Sequence, residues 1–293
     1  MSRPPRRTRL RALRMGLSTV LGPVMGTPPL GWFIPYRYAA SVAPPAGYPE
    51  LEPSFDAARP VFAAVLDAID DLADDLAAIG APAAAALLRP PPQPRWAQGW
   101  FPRLDAACAY AMVRRRQPRR IVEVGSGHST RFLARAVADG ALATEIVAVD
   151  PAPRADIARL GVRHIAATVQ QADPALFGAL EPGDILFIDS SHILMPGSDV
   201  DYLLNRVWPM LPAGVLVHIH DIALPDGYPA IWEWRGYNEQ LGVAPLLASG
   251  AAKPLFASRF VATRMADAVA KCAVSRLPAF PDAIDTSLWV EKS

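Results

Sequence analysis

The chain predicts an α/β protein with a doubly wound parallel sheet, and three stretches of sequence carry the prediction. Ile121 to Val124 is an apolar strand interrupted by Glu123, and Gly125-Ser126-Gly127 turns from it into a helix running on through Arg131-Phe132-Leu133-Ala134. Glu145 to Val149 is a second such strand and ends in Asp150, 23 residues after Gly127. Asp184 to Asp189 is apolar at every internal position, as a parallel strand buried on both faces has to be. Strand, glycine turn, helix, strand and acid is how such a sheet holds an adenosine-containing cofactor. The turn lets the backbone approach the ligand, and the distal acid reaches the ribose hydroxyls.

The remaining elements follow in order. Residues 1–14 hold six arginines (Arg3, Arg6, Arg7, Arg9, Arg11, Arg14) and no acid, and a short mixed apolar stretch runs from Met15 to Met25. This reads as a disordered tail, or as a basic arm in weak contact with an anionic membrane or partner. Glycine and proline break the apolar stretch and it has no clear cleavage site, which argues against a signal peptide. Gly31 to Tyr38 is an aromatic, proline-containing loop expected to pack on something larger. Phe62, Val65, Leu66, Ile69, Leu72, Leu76 and Ile79 recur every three or four residues, which predicts one amphipathic helix over about 57–79 with Gly80 as its stop. Asp67, Asp70, Asp71, Asp74 and Asp75 fall on its other faces and read as solvated. Pro90-Pro91-Pro92-Gln93-Pro94 is a stiff linker. The expected division is therefore an extension of helix and loop over 1–94 and a cofactor-binding domain over 95–293.

Within that domain a helix over about 103–115 leads into the strand at Ile121. A weak strand covers Val162 to Ile165, a crossover helix Asp199 to Leu211, and a fifth strand Gly214 to Asp221. Ser287 to Val290 is a last strand at or near an edge. The alternation of strands and helices is what implies the doubly wound sheet.

Composition narrows the class. Hydrophobic residues are 52% of the 293, enough for a large core, and no apolar run reaches the roughly 18 residues that a membrane span needs. Cys108 and Cys272 lack zinc or redox spacing and read as buried thiols in a reducing, cytoplasmic compartment. Beyond the arginine-rich start, 23 basic residues face 28 acidic ones, so a nucleic-acid surface is not expected on the body.

The identity of the cofactor turns on two residues. A nicotinamide site usually continues G-x-G-x-x-G, and here the third position is Thr130. S-adenosylmethionine has no pyrophosphate but carries an ammonium and a sulfonium, which a carboxylate such as Glu123 suits. The expected cofactor set is Glu123, Gly125, Ser126, Gly127, Ser129 and Asp150, with Gln170 beside the adenine and Asp189 at the end of the fourth strand.

A second group gathers at the carboxyl ends of the strands, where open sheets bind ligands. Asp189-Ser190-Ser191-His192 leaves the fourth strand and His218-Ile219-His220-Asp221 ends the fifth. His192, His220 and Asp221 are the catalytic candidates, one of them taking a proton from a nucleophilic hydroxyl or amine. Alternatively Asp189, Asp221 and His220 hold a divalent metal. His218 reads as a core histidine. Trp32 to Tyr38, Trp96, Trp100 and Trp232 either cover the crevice or pack in the core.

Glu123 to Thr130 (E-V-G-S-G-x-S-T), Ile188 to His192 (I-D-S-S-H), Gly197 to Val200 (G-S-D-V) and His218 to Ile222 (H-x-H-D-I), with Tyr228-Pro229, Trp232 and Asn238 to Gln240, resemble a bacterial group of class I S-adenosylmethionine-dependent methyltransferases. Phe33 to Ala39 and Ser287 to Val290 are similar to that group too. The resemblance implies a Rossmann-like seven-stranded sheet whose last strand is antiparallel. It implies S-adenosyl-L-methionine as methyl donor, with Glu123, Gly125 and Gly127 around its methionine end and Asp150 on its ribose. It also implies that Asp189 and Asp221 match acids that bind magnesium in catechol-type and macrolide-sugar enzymes. His220 departs from that pattern, because magnesium prefers oxygen. The expected activity is methyl transfer to an oxygen, or less readily a nitrogen, of a small molecule or sugar. A non-catalytic module on the same fold and an NAD-dependent oxidoreductase are the rivals.

Overall fold

The computed structural model describes residues 6–22, 24–26, 36–38, 41–42, 46–80 and 92–293. Residues 31–35 of the aromatic loop, Ala39, and Pro90 and Pro91 of the linker lie outside these. Tyr36 and Tyr38 meet edge to face at 5.9 Å and are both more than half exposed, so this part of the loop does not pack on the body.

Helix α1 spans Arg6–Leu21, where the sequence read as a tail. Helices α2 (Glu52–Ala57), α3 (Arg59–Asp70) and α4 (Ala73–Gly80) replace the single helix expected over 57–79. Pro60 sits in the first turn of α3, where its missing N–H costs nothing. Between α3 and α4 the ladder tightens: Asp71 N bonds Asp67 O, but Leu72 N bonds Ile69 O, a three-residue step that kinks the chain. The predicted apolar face is buried nonetheless, with Phe62, Ile69 and Leu76 fully inside. Phe62 meets Phe256 and Phe260 edge to face at 6.0 and 5.8 Å, so α3 shares one core with the sheet. Asp67, Asp70, Asp71 and Asp74 are exposed, as expected, and Asp75 is partly so, but three of the five are also paired. Asp75 takes Arg114 Nη1 at 2.6 Å, Asp71 pairs with Arg115, and Asp70 accepts the Ala273 N–H.

The sheet then follows the predicted alternation. Helix α5 (Arg103–Arg116) leads into β1 (Arg120–Val124), α6 (His128–Asp139), β2 (Glu145–Val149) and β3 (Arg163–Ile165). A short α7 (Ala175–Gly178) precedes β4 (Ile185–Ile188), and α8 (Asp199–Tyr202) runs on through a wide turn and a tight one to Met210. After β5 (Leu216–Ile219) come a 3-10 segment (Ala230–Arg235), α9 (Gln240–Ala248), β6 (Ala252–Ala257), α10 (Ser258–Arg264), α11 (Ala266–Lys271) and β7 (Leu288–Lys292).

The strand order is β3-β2-β1-β4-β5-β7-β6. β1 is parallel to β2 and β4, while β7 runs antiparallel to both β5 and β6. The seven-stranded, doubly wound sheet with an antiparallel last strand is thus present. β7 lies near an edge, as expected, one strand in, because β6 closes that side, and no clear sign of β6 stands in the sequence. The order reverses between β1 and β4, which opens a crevice beyond their carboxyl ends. Among the described residues no helix is long and apolar enough to cross a membrane.

Candidate functional site

A cavity of about 480 Å³ fills that crevice, within the usual range of small-molecule sites. Its walls come from the turn after β1, the ends of β2 and β4, and the segments at Thr168–Gln170 and Gly197–Asp199. Gly125 has φ +79°, and a Cβ built there would lie 1.8 Å from Asp189 O, so only glycine lets β1 and β4 approach this closely. Asp150 faces the cavity from β2. Its Oδ2 accepts from Ser126 N at 2.6 Å and Ser126 Oγ at 3.0 Å, and its Oδ1 accepts from Ala152 N at 2.7 Å.

Thr130, where a dinucleotide site has glycine, has a local task. Its Oγ1 accepts the Gly127 N–H at 2.9 Å and donates to Glu123 Oε2 at 2.6 Å. Ser129 Oγ donates to Glu123 Oε1 at 2.6 Å. The Glu123 carboxyl is fully buried and ties the first turn of α6 to β1 from beneath. It does not itself line the cavity but lies beneath the turn that does. Burial pushes its pKa up to about 8, with the nearby Asp189 and Asp150 charges adding to the rise, against the two hydroxyl donors. Gly125, Ser126, Gly127, Ser129, Asp150, Gln170 and Asp189 do line the cavity, and Gln170 Nε2 donates to Gly197 O at 3.1 Å.

Trp100 stacks flat on His128, 5.4 Å between centroids, and both lie on the cavity wall. Of the other tryptophans proposed as cover, Trp96 is buried against Phe132 in the core, Trp232 lies under Arg235, and Trp32 is outside the described residues. Burial and the Arg131, Arg95 and Arg154 charges bring the pKa of His128 down to about 4, so its ring is neutral. Its Nδ1 and the Ser190 hydroxyl are buried polar atoms without a protein partner on this wall. A ligand with polar groups would satisfy them, and an adenosine cofactor fits a site with that turn, that acid and these two free groups.

Behind Asp189 stands the second group. His192, His220 and Asp221 come together as predicted, but none lines the cavity, and each is at least nine-tenths buried. His192 Nε2 lies 3.4 Å from Asp189 Oδ1 and 3.5 Å from Asp221 Oδ2, while its Nδ1 bonds Glu239 Oε2 at 2.9 Å. His220 Nδ1 lies 3.4 Å from Asp189 Oδ1 and 3.7 Å from Asp221 Oδ1, and its Nε2 faces Asp105 Oδ2 at 3.4 Å. His192 and Asp221 both have positive φ, +61° and +54°, unusual for residues with a Cβ and of order 1 kcal/mol each in cost. The His192 carbonyl is pinned by the Asn238 and Glu239 N–H groups at 3.1 and 3.2 Å.

The carboxylates control the rings. Burial alone lowers the pKa of an imidazole, but Asp189, Glu239 and Asp221 outweigh it and take His192 to about 10. His220 is raised well above the usual histidine value against the same burial cost, by Asp221, Asp189 and Asp105. The carboxylates around them thus favour the protonated form of both rings. Burial opposes ionisation of Asp189, but the two cationic rings overcome it and hold its carboxyl well below the usual range. His218 is the core histidine expected: it stacks on Phe187 at 3.7 Å, bonds Ser287 Oγ at 2.8 Å and is kept neutral by burial and the His220 charge.

Sequence reasoning missed Asp105, Glu239 and Arg235. Arg235 Nη1 reaches Asp221 Oδ2 at 3.4 Å with its guanidinium 4.3 Å over the Trp232 ring, and Thr286 Oγ1 donates to Asp221 Oδ1 at 3.1 Å. Both Asp221 oxygens are therefore engaged, and an arginine and two histidines face Asp189 and Asp221. Among the described residues no group of three or more His, Cys, Asp or Glu is arranged to hold a metal ion. The metal expected at Asp189, His220 and Asp221 does not fit these contacts. The Asn238-Glu239-Gln240 string was visible in the sequence without a role. Asn238 clamps Leu194 through both amide atoms, Glu239 orients His192, and Gln240 Oε1 accepts from Ala223 N.

The chain carries a seven-stranded, doubly wound Rossmann-like sheet, and residues 122–222 match the family model for a methyltransferase domain. No curated protein matches it. Among solved structures, the S-adenosylhomocysteine-bound methyltransferase PaMTH1 of Podospora anserina is 14% identical, with a TM-score of 0.39 over 90% of this chain and 99% of that one. An O-methyltransferase of Bacillus cereus, also in complex with S-adenosylhomocysteine, is 15% identical, with a TM-score of 0.39 over 78% and 91%. MycE methyltransferase of the mycinamycin biosynthetic pathway, in complex with Mg and S-adenosylhomocysteine, is 21% identical, with a TM-score of 0.31 over 60% of this chain and 46% of that one.

Proposed function

We propose that the protein is an S-adenosylmethionine-dependent methyltransferase that moves a methyl group to an oxygen of a small molecule or sugar, a nitrogen being the second choice. The observation that carries this reading is Asp189, which borders the cofactor cavity on one side and the buried His192–His220 cluster on the other. When bound, the cofactor supplies a methyl group on a positively charged sulfur. Asp150 accepts hydrogen bonds from the ribose hydroxyls, the turn at Gly125 gives the backbone room, and Trp100 with His128 covers the cavity wall.

The chain's part in the reaction is to hold the acceptor in line, which supplies up to roughly 7–11 kcal/mol in favourable cases. Asp189 accepts the hydrogen bond of the acceptor hydroxyl and takes its proton. A carboxylate with a lowered pKa is a weak base. It is sufficient here, because a hydroxyl oxygen becomes strongly acidic once a methyl group is added to it, and the proton leaves late.

Calorimetric titration with S-adenosylhomocysteine tests the cofactor, with saturable binding expected. Tighter binding of a nicotinamide dinucleotide sinks the reading. Transfer of labelled methyl from S-adenosylmethionine to a panel of hydroxylated small molecules and sugars tests the chemistry. Asp189→Asn should lower turnover at least about 100-fold, the scale of general base catalysis, with cofactor binding retained. Cofactor binding with no transfer to any acceptor would favour a non-catalytic module.

A further inference from the structure

We propose that helix α1 is an anchor for an anionic membrane surface. Leu10, Leu13, Leu17 and Leu21 follow one another at intervals of three or four residues and so share one helical face, Val20 continues it, and Val24 lies just beyond the helix end. All six are exposed, the four leucines at 46–58%, and Met25 beyond them at 71%. The helix is not detached from the body. It packs against the 3-10 segment Ala230–Arg235, where Ile231 is likewise 59% exposed, so this contact leaves the leucine face open. Aligned exposed leucines on a soluble surface mark a contact site.

Charge selects the occupant. The helix carries Arg6, Arg7, Arg9, Arg11 and Arg14 and no acid, and the first acidic residue of the chain is Glu50. A second copy of α1 laid against the first would bring arginine against arginine. A nucleic acid would use the arginines but leave the leucines in water. An anionic bilayer uses both: phosphate headgroups draw the arginines while the leucines enter the boundary between headgroup and acyl chain. Spanning is excluded, because 16 residues with five arginines fall short of the roughly 20 apolar residues required. The helix lies on the surface. The segment it packs against ends at Arg235, which touches Asp221, so docking places the acidic cluster beside the membrane.

The test uses the full chain sedimented with phosphatidylglycerol-containing vesicles and with pure phosphatidylcholine vesicles. Binding to the anionic vesicles alone, released at high salt, is expected. Replacing two leucines in Leu13→Glu/Leu17→Glu should weaken it at least about tenfold, and so should Arg11→Glu/Arg14→Glu. S-adenosylhomocysteine affinity should stay unchanged in both variants, since Leu13, Arg14 and Leu17 do not line the cavity. Absence of vesicle binding overturns the proposal, as does equal binding by either variant. A dimer that Leu13→Glu/Leu17→Glu dissolves, without vesicle binding, would assign the face to a second copy. The outcome does not depend on the methyl-transfer reading.

Discussion

Asp150 and Asp189 each end a parallel strand and line the same cavity, yet their carboxylates are held by different means. Asp150 is held from its own neighbourhood, by the Ser126 and Ala152 N–H groups and the Ser126 hydroxyl. Backbone and hydroxyl donors carry no net charge, so this arrangement needs no ion pair. Asp189 is held by two imidazolium rings that themselves depend on Asp105, Asp221 and Glu239. There geometry is bound to a balance of charge. One half of the site is a rigid mould, and the other is a pH-sensitive cluster.

The largest expected effect breaks the mould. Gly125→Ala puts a Cβ onto the Asp189 carbonyl and forces a residue with φ +79° to carry a side chain. It should abolish S-adenosylhomocysteine binding in calorimetry and cost roughly 3 kcal/mol of stability. Wild-type binding by this variant would mean that β1 and β4 separate more easily than the close contact implies. Next, Asp150→Ala removes a charged acceptor for the ribose, and affinity should fall about 10- to 100-fold. A smaller fall would place the ribose elsewhere in the cavity.

The third change sharpens the comparison from the other side. Glu239→Gln keeps the shape but removes the charge that orients His192, so turnover should drop while cofactor affinity holds. The pH dependence gives the sign. The folded pKa of His192, about 10, lies above its unfolded value of about 6.5, so its stabilising contribution is complete below pH 6.5 and is lost as pH rises through 10. Glu123, raised to about 8, acts in the same direction between about pH 4.5 and 8. The unfolding free energy of the wild type should therefore fall toward pH 10, by at most about 1.4 kcal/mol per pH unit for each group, and the melting temperature with it. Glu239→Gln should show a shallower alkaline slope, and an unchanged slope would remove Glu239 from the charge balance. The smallest effect is expected from a chelator, which should leave cofactor binding and turnover intact, because Arg235 and the two rings already face the acids. Loss of activity restored by a divalent ion would refute that account of the cluster.

Much of the mould was legible because its contacts are local. Glu123, Ser129 and Thr130 lie within eight positions, and the hydrophobic runs of β1, β2 and β4 are continuous. Thr130 told against a dinucleotide, and its capping bond to Gly127 is the physical reason it stands there. The sequence placed His192, His220 and Asp221 together correctly but not their exposure. Burial depends on what covers a strand end, and here α9 and the segment at Thr286 cover it. Strand β6 was hidden because Pro254 and Lys253 break the apolar pattern.

The sequence by itself determined the doubly wound sheet, the glycine turn and the acid at Asp150. Each follows from residues a few positions apart and from the backbone conformations they allow. Only the tertiary structure decided the charge of the histidines. Asp105 comes from α5, Asp189 from the end of β4, Asp221 from the end of β5 and Glu239 from the start of α9. Their fields add through space rather than along the chain, and that sum raises both rings above the ordinary histidine value, His192 to about 10.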